Sequence, residues 1–183
     1  MRLKPQQTGY VARKIAIDLA NAPFVQLPKG MDAVAETAKR IIDENLAKER
    51  ALDEKVRAII DDNYDEIEFN HADERQLFFM IKKKLAPEHG IIIDYDDRYN
   101  DLAHTILDEL YENYLAEYDV SDNQVKNVIF KSFKAFADAF DEIDDIVYEK
   151  IKSMKRDIIP GTQDYELLYD RLYQEELAKR GML

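Results

Sequence analysis

"DEIDD", with a glutamate four residues beyond it, places Asp141, Glu142, Asp144, Asp145 and Glu149 within little more than two helical turns. Carboxylates grouped this closely can do general acid–base work when burial drives their pKa values apart. Here Ile143, Ile146 and Val147 take the opposite face. The acids are therefore expected to point to water, as a solvated face or as a docking surface for a basic partner. Just upstream, Phe130, Phe133, Phe136 and Phe140 recur at helical spacing. Core packing is the first expectation for such a stripe, and a groove or dimer seam is the second. Together these residues define one candidate partner-binding set: Phe136, Phe140, Asp141, Asp144, Asp145 and Glu149.

Other groupings are weaker. "DYDDRYND", from Asp94 to Asp101, resembles a calcium loop, but Tyr99 and Thr105 stand where an EF-hand needs Gly and Glu. It reads better as a solvated helix start. Glu68 with His71, and Asp101 with His104, have the Glu-x-x-His type of spacing that holds di-iron centres between helices. That chemistry needs further inward-facing glutamates, and the two His positions do not correspond to each other in the repeat described below. Lys82, Lys83 and Lys84 are consecutive and so fan around a helix, where positive charge suits the C-terminal end. "KSMKR", Lys152 to Arg156, is a second basic spot, without the interleaved aromatics that stack bases. No Ser-His-Asp spacing, Gly-rich phosphate loop or nucleophile elbow is present. No catalytic, cofactor-binding or metal-ligating residue is expected.

Charge narrows the partners. The 183 residues carry 26 basic and 38 acidic side chains, a net charge of −12. The excess is uneven: residues 1–91 hold 15 basic and 16 acidic side chains, and residues 92–183 hold 11 and 22. A second half this acidic repels phosphates and attracts basic surfaces, so direct nucleic-acid binding is not expected. There is no Cys, which excludes disulfides and thiolate chemistry and suits a reducing cytoplasm. No apolar run approaches the roughly 20 residues that cross a bilayer.

The elements that position these groups come in duplicate. Shifted by 91 residues, the chain aligns on itself without a gap: Ala12 meets Ala103, Ile15 meets Ile106, Leu19 meets Leu110, Val56 meets Val147, and Gly90 meets Gly181. Apolar positions coincide along the whole length, which predicts a tandem duplication of a module of about 90 residues, in 1–91 and 92–183. Each copy reads as a helix, a short extended piece ("PFVQLP", "YLAEYDV"), a long helical region and a final helix. The extended pieces could pair as a minimal two-stranded ribbon. Ser121 and Gln124 have capping-box spacing, and Gly90 and Gly181 stand where a left-handed cap is expected. In the second long helix the apolar stripe runs unbroken from Val125 to Met154. In the first, Asn45 and Glu49 interrupt it, so that helix is expected to break near "KERALDE" or to face water there.

"MRLK…YVARKIAIDLA", "DERQLFFMIKKKLA", "DLAHTILDELYE" and "YDVSDNQVKNVIF" resemble, in content and order, a bacterial family designated domain of unknown function 507. The resemblance covers nearly the whole chain. It implies a bacterial, cytoplasmic protein and carries over no catalytic residues.

The expectation is thus an all-α protein acting as a non-catalytic interaction or adaptor protein through its acidic second repeat, with a basic protein partner and room for a homodimer. Two other classes stay open. One is a regulator that mimics nucleic acid against a basic partner. The other is a metal-dependent enzyme using Glu68, His71, Asp101 or His104.

Overall fold

The computed structural model describes residues 3–64, 73–154 and 162–182. It is all-α. Among the described residues, 3-10 turns at Pro5–Gln7 and Ala86–His89 accompany six α-helices: α1 (Thr8–Ala20), α2 (Gly30–Asp62), α3 (Glu74–Leu85), α4 (Tyr95–Glu112), α5 (Asp122–Lys152) and α6 (Gln163–Lys179). Two short strands, β1 (Val25–Gln26) and β2 (Glu117–Tyr118), pair antiparallel as the expected ribbon. Its register sets Gln26 against Glu117, positions 91 residues apart.

The short helices α1 and α4 each pack on both long helices, α2 and α5, while α3 lies against α2 and α6 against α5. The apolar faces expected on α1 and α4 are buried: Ala12, Ile15, Ala16 and Leu19 on one, Ala103, Ile106, Leu107 and Leu110 on the other. They join one main core that takes residues from α1, α2, α4, α5 and α6. The stripe of α5 is buried from Val125 to Ile151.

The first long helix neither breaks nor turns its polar residues to water: α2 runs unbroken through "KERALDE". Asn45 and Glu49 keep the inward direction that the apolar spacing dictates, and partners from α3 and α4 satisfy them there. Their polarity still has a structural consequence. The apolar core stops at Leu46, and a second, smaller core begins at Leu52, with Val56, Ile60, Ala86 and Ile91. Helix α3 covers that second core through Leu77, Phe78 and Ile81 and has no fully buried residue of its own. In α5, Phe136 and Phe140 occupy the positions 91 residues on, and the core continues without interruption.

Among the described residues, side chains cap the starts of α3, α4 and α6 but not those of α1, α2 and α5. Asp73 caps α3 by accepting from the amides of Arg75 and Gln76, and Thr162 caps α6. Ser121 precedes α5, but its hydroxyl donates to the Gln124 side chain and accepts from no amide, so the expected capping box does not form. Gly90 and Gly181 are left-handed, at φ 62° and 65°, and a Cβ on either would meet nothing within 4 Å. Gly90→Ala should therefore cost only the backbone term, about 1 kcal/mol, read as a lower urea midpoint with an unchanged m-value.

Candidate functional site

Two polar clusters lie where the helix pairs meet, one closed and one open. The closed cluster starts from Arg98, which the sequence places in an acidic helix start. Asp94 caps α4 through the amides of Asp96 and Asp97, and this fixes the first turn with Arg98 directed at α2. Arg98 is only 1% exposed. Its Nε donates to Asn45 Oδ1 at 2.7 Å, and its Nη1 lies 2.9 Å from Glu49 Oε2. The other Glu49 oxygen takes Lys82 Nζ of α3 at 3.0 Å, and the same ammonium reaches Asp53 at 2.7 Å. Lys82 therefore does not share the solvent-facing, helix-end role expected of the lysine triplet, whereas Lys83 and Lys84 are exposed. Burial opposes ionisation of Glu49, but its hydrogen-bonding and cationic neighbours, Arg98 and Lys82 among them, outweigh it and hold the carboxyl at about 2. Burial likewise opposes the Lys82 ammonium, and the hydrogen bonds to Asp53 and Glu49 reverse the balance.

The open cluster is a cleft of about 660 Å³ between α5, α6 and the N-terminal segment, lined by Lys4, Phe140, Asp141, Asp144, Asp145, Tyr169 and Tyr173. Four of these residues belong to the partner-binding set read from the sequence. A ladder of rings forms its wall. Tyr165, Tyr169 and Tyr173 stack along α6 with centroids 6.2 and 5.8 Å apart, and Tyr173 meets Phe140 at 6.0 Å. Phe140 meets Phe136 at 4.3 Å, and Phe136 meets Tyr10 of α1 at 5.7 Å. The ladder runs from the core to the surface. The Tyr169 hydroxyl donates to Asp144; burial and that carboxylate together push the phenol well above its ordinary value. Burial and Asp144 push Tyr173 up to about 12, against a hydrogen bond with Gln7. Both phenols therefore stay protonated at neutral pH. Lys4 Nζ sits over the Tyr173 ring, 5.1 Å from its centroid. At the base of α6, Glu176 accepts from Lys150 and Lys179, which hold it ionised at about 2 and tie α6 to α5.

The remaining residues of the candidate set divide by depth. Asp141, Asp144, Asp145 and Glu149 are exposed, as the facing of Ile143 and Val147 requires. Phe136 and Phe140 are 3% and 4% exposed, so they form core and not an open seam. The phenylalanine contribution to any outer surface is the part of Phe140 that lines the cleft.

Glu68 and His71 lie outside the described residues. Asp101 and His104 are exposed on α4. Among the described residues no three His, Cys, Asp or Glu side chains group as a metal site, and no helix is long and apolar enough to cross a membrane. The sequence reading missed Arg98, Lys4 and the tyrosines of α6 as cluster members. A basic residue in an otherwise acidic helix start was the available sign for Arg98. For Tyr165, Tyr169 and Tyr173 it was the four-residue spacing, which aligns side chains on one helix face.

No curated protein matches the chain. The sequence model described as protein of unknown function (DUF507) matches residues 1–182. That match takes in every element described above, and the chain belongs to the DUF507 family.

Proposed function

We propose that this is a non-catalytic interaction protein of the bacterial cytoplasm that presents the acidic face of α5 to a basic protein. The observation that carries this reading is the cleft itself: three aspartates and two tyrosines converge on one open concavity, with Glu149 exposed on the same helix. Aromatic rings beside carboxylates in a concavity favour a cation arriving with its protein context. The uneven charge of the chain adds long-range steering toward that half. The same reading takes residues 1–91 and 92–183 as tandem copies of one module. The repeated element order and the ribbon pairing of Gln26 with Glu117 support it. On this view the second copy turned the site outward while the first filled it with ions.

The test is affinity purification from the host, with nuclease present, using wild type and an Asp141→Lys/Asp145→Lys variant. Both positions are exposed, so the variant should fold normally. A basic protein retained by wild type and lost by the variant is the expected result. A partner retained by both would remove this face from consideration. A partner released by added DNA or RNA would favour the mimic form of the same interaction.

A further inference from the structure

The chain itself indicates what the cleft takes. On the first pair, α2 and α3, Asp53 and Lys82 meet at 2.7 Å, so a cation fills the space between the helices. Ninety-one residues on, on α5 and α6, stand Asp144 and Tyr173. The carboxylate is kept and the ammonium is replaced by a ring, which leaves an opening lined by Asp141, Asp144 and Asp145. A second observation points to the same ligand chemistry. Lys4, from the segment before α1, reaches into this opening and places its ammonium over Tyr173. Leu3 beside it is buried, and the Lys4 amide donates to Gln7 Oε1 at 2.9 Å, so the backbone that carries Lys4 is anchored. The Lys4 side chain is nevertheless exposed and makes this one ring contact.

We infer that the cleft binds the ammonium or guanidinium of a lysine or arginine in a basic protein segment, and that Lys4 is an internal competitor which that side chain displaces. This inference rests on the interaction reading above and names the chemistry of its partner. The described lining carries three aspartates and one lysine, and the Tyr173 face supplies a cation–π seat once Lys4 swings out. The exposed cationic tip of Lys4 is held by a contact weak enough to lose, while the anchored backbone keeps the N-terminal segment in place.

The test is a titration of the full-length protein with a lysine-rich hexapeptide at physiological salt, followed by the ring signals of Tyr169 and Tyr173. The expected result is saturable shifts at both rings. Lys4→Gln, which removes the charge and shortens the stem, should tighten binding about three- to fivefold. Asp141→Asn/Asp145→Asn should weaken it by about tenfold or more. Equal affinity for wild type and Lys4→Gln would overturn the competitor role of Lys4. Shifts that spread over the acidic face without saturating at Tyr173 would overturn the inference. Spermidine binding as tightly as the peptide would also overturn it, making this a small-cation site. If the charge-reversed variant loses its host partner while Lys4→Gln changes nothing, only the competitor role fails. If the partner survives charge reversal, the interaction reading itself fails.

Discussion

Arg98→Ala is expected to lower unfolding free energy by about 3 kcal/mol, because it strips the largely buried Glu49 carboxylate of its guanidinium partner. Glu49 would keep Lys82 at 3.0 Å but lose the guanidinium at 2.9 Å, and Asn45 would lose its donor at 2.7 Å. For a chain of this size each kcal/mol moves the midpoint by roughly 2–4 °C, so a drop of about 6–12 °C should be seen by calorimetry. The ion cluster need not itself be a net stabiliser, since replacing buried ions with apolar groups is often neutral or better. The double change Arg98→Met/Glu49→Met should therefore recover most of the loss. The positions 91 residues on offer a comparison, since Phe136 and Phe140 stand there on α5 inside an unbroken core. A double variant no more stable than Arg98→Ala would show that α3 depends on the charges themselves.

The same cluster sets a pH window. The Glu49 carboxyl lies near 2 in the folded chain against an ordinary 4.5. A lowered folded value means its contribution is fully present above about 4.5 and is lost as pH falls toward 2. The stability gap between wild type and Arg98→Ala should hold steady from neutrality to about pH 5 and narrow below that. A gap independent of pH across this range would mean that Glu49 is not the group whose ionised form Arg98 supports.

These expectations mark what periodicity can and cannot tell. Spacing alone located α1, α4 and the buried stripe of α5, because an apolar face repeats there at helical period, even though Thr8, Arg98 and Ser132 are buried beside it. It failed at α2 for an instructive reason. Asn45 and Glu49 occupy inward positions, and a polar residue on a core face reads from sequence as exposure or a break. Only the fold supplies Arg98, 53 residues from Asn45, and Lys82, 33 from Glu49, to satisfy them. The acidic half of the cleft was legible because Asp141, Asp144 and Asp145 are neighbours in sequence. The other half was not: Tyr169 and Tyr173 come from a later helix and Lys4 from the far end of the chain. Groups brought together only by tertiary packing leave no local pattern, whereas residues sharing one helical turn do. Ser121 shows a further limit. Its spacing to Gln124 fits a cap, yet its hydroxyl is drawn to the Gln124 side chain instead of the backbone.

Phe136→Ala should separate core from interface. The ring is buried between Tyr10 and Phe140, with centroids at 5.7 and 4.3 Å, so truncation opens a cavity between α1 and α5. Large aromatic truncations of this kind cost about 3–5 kcal/mol, measurable by urea unfolding. Yet Phe136 does not line the cleft. Under conditions where the variant stays folded, its affinity for a basic peptide should remain within about twofold of wild type. Phe140 differs, because it is both core and cleft wall. Phe140→Asp would bury a carboxylate without a built partner and should destabilise at least as much as Phe136→Ala, while Phe140→Leu keeps the fold and removes the ring that Tyr173 packs on. Weaker peptide binding in Phe140→Leu with none in Phe136→Ala places the docking surface at the cleft mouth. Equal loss in both would instead mean that the phenylalanine stripe opens to the partner along its length. In that case docking proceeds by parting α5 from α6, with the Lys150–Glu176 pair as the first contact to break.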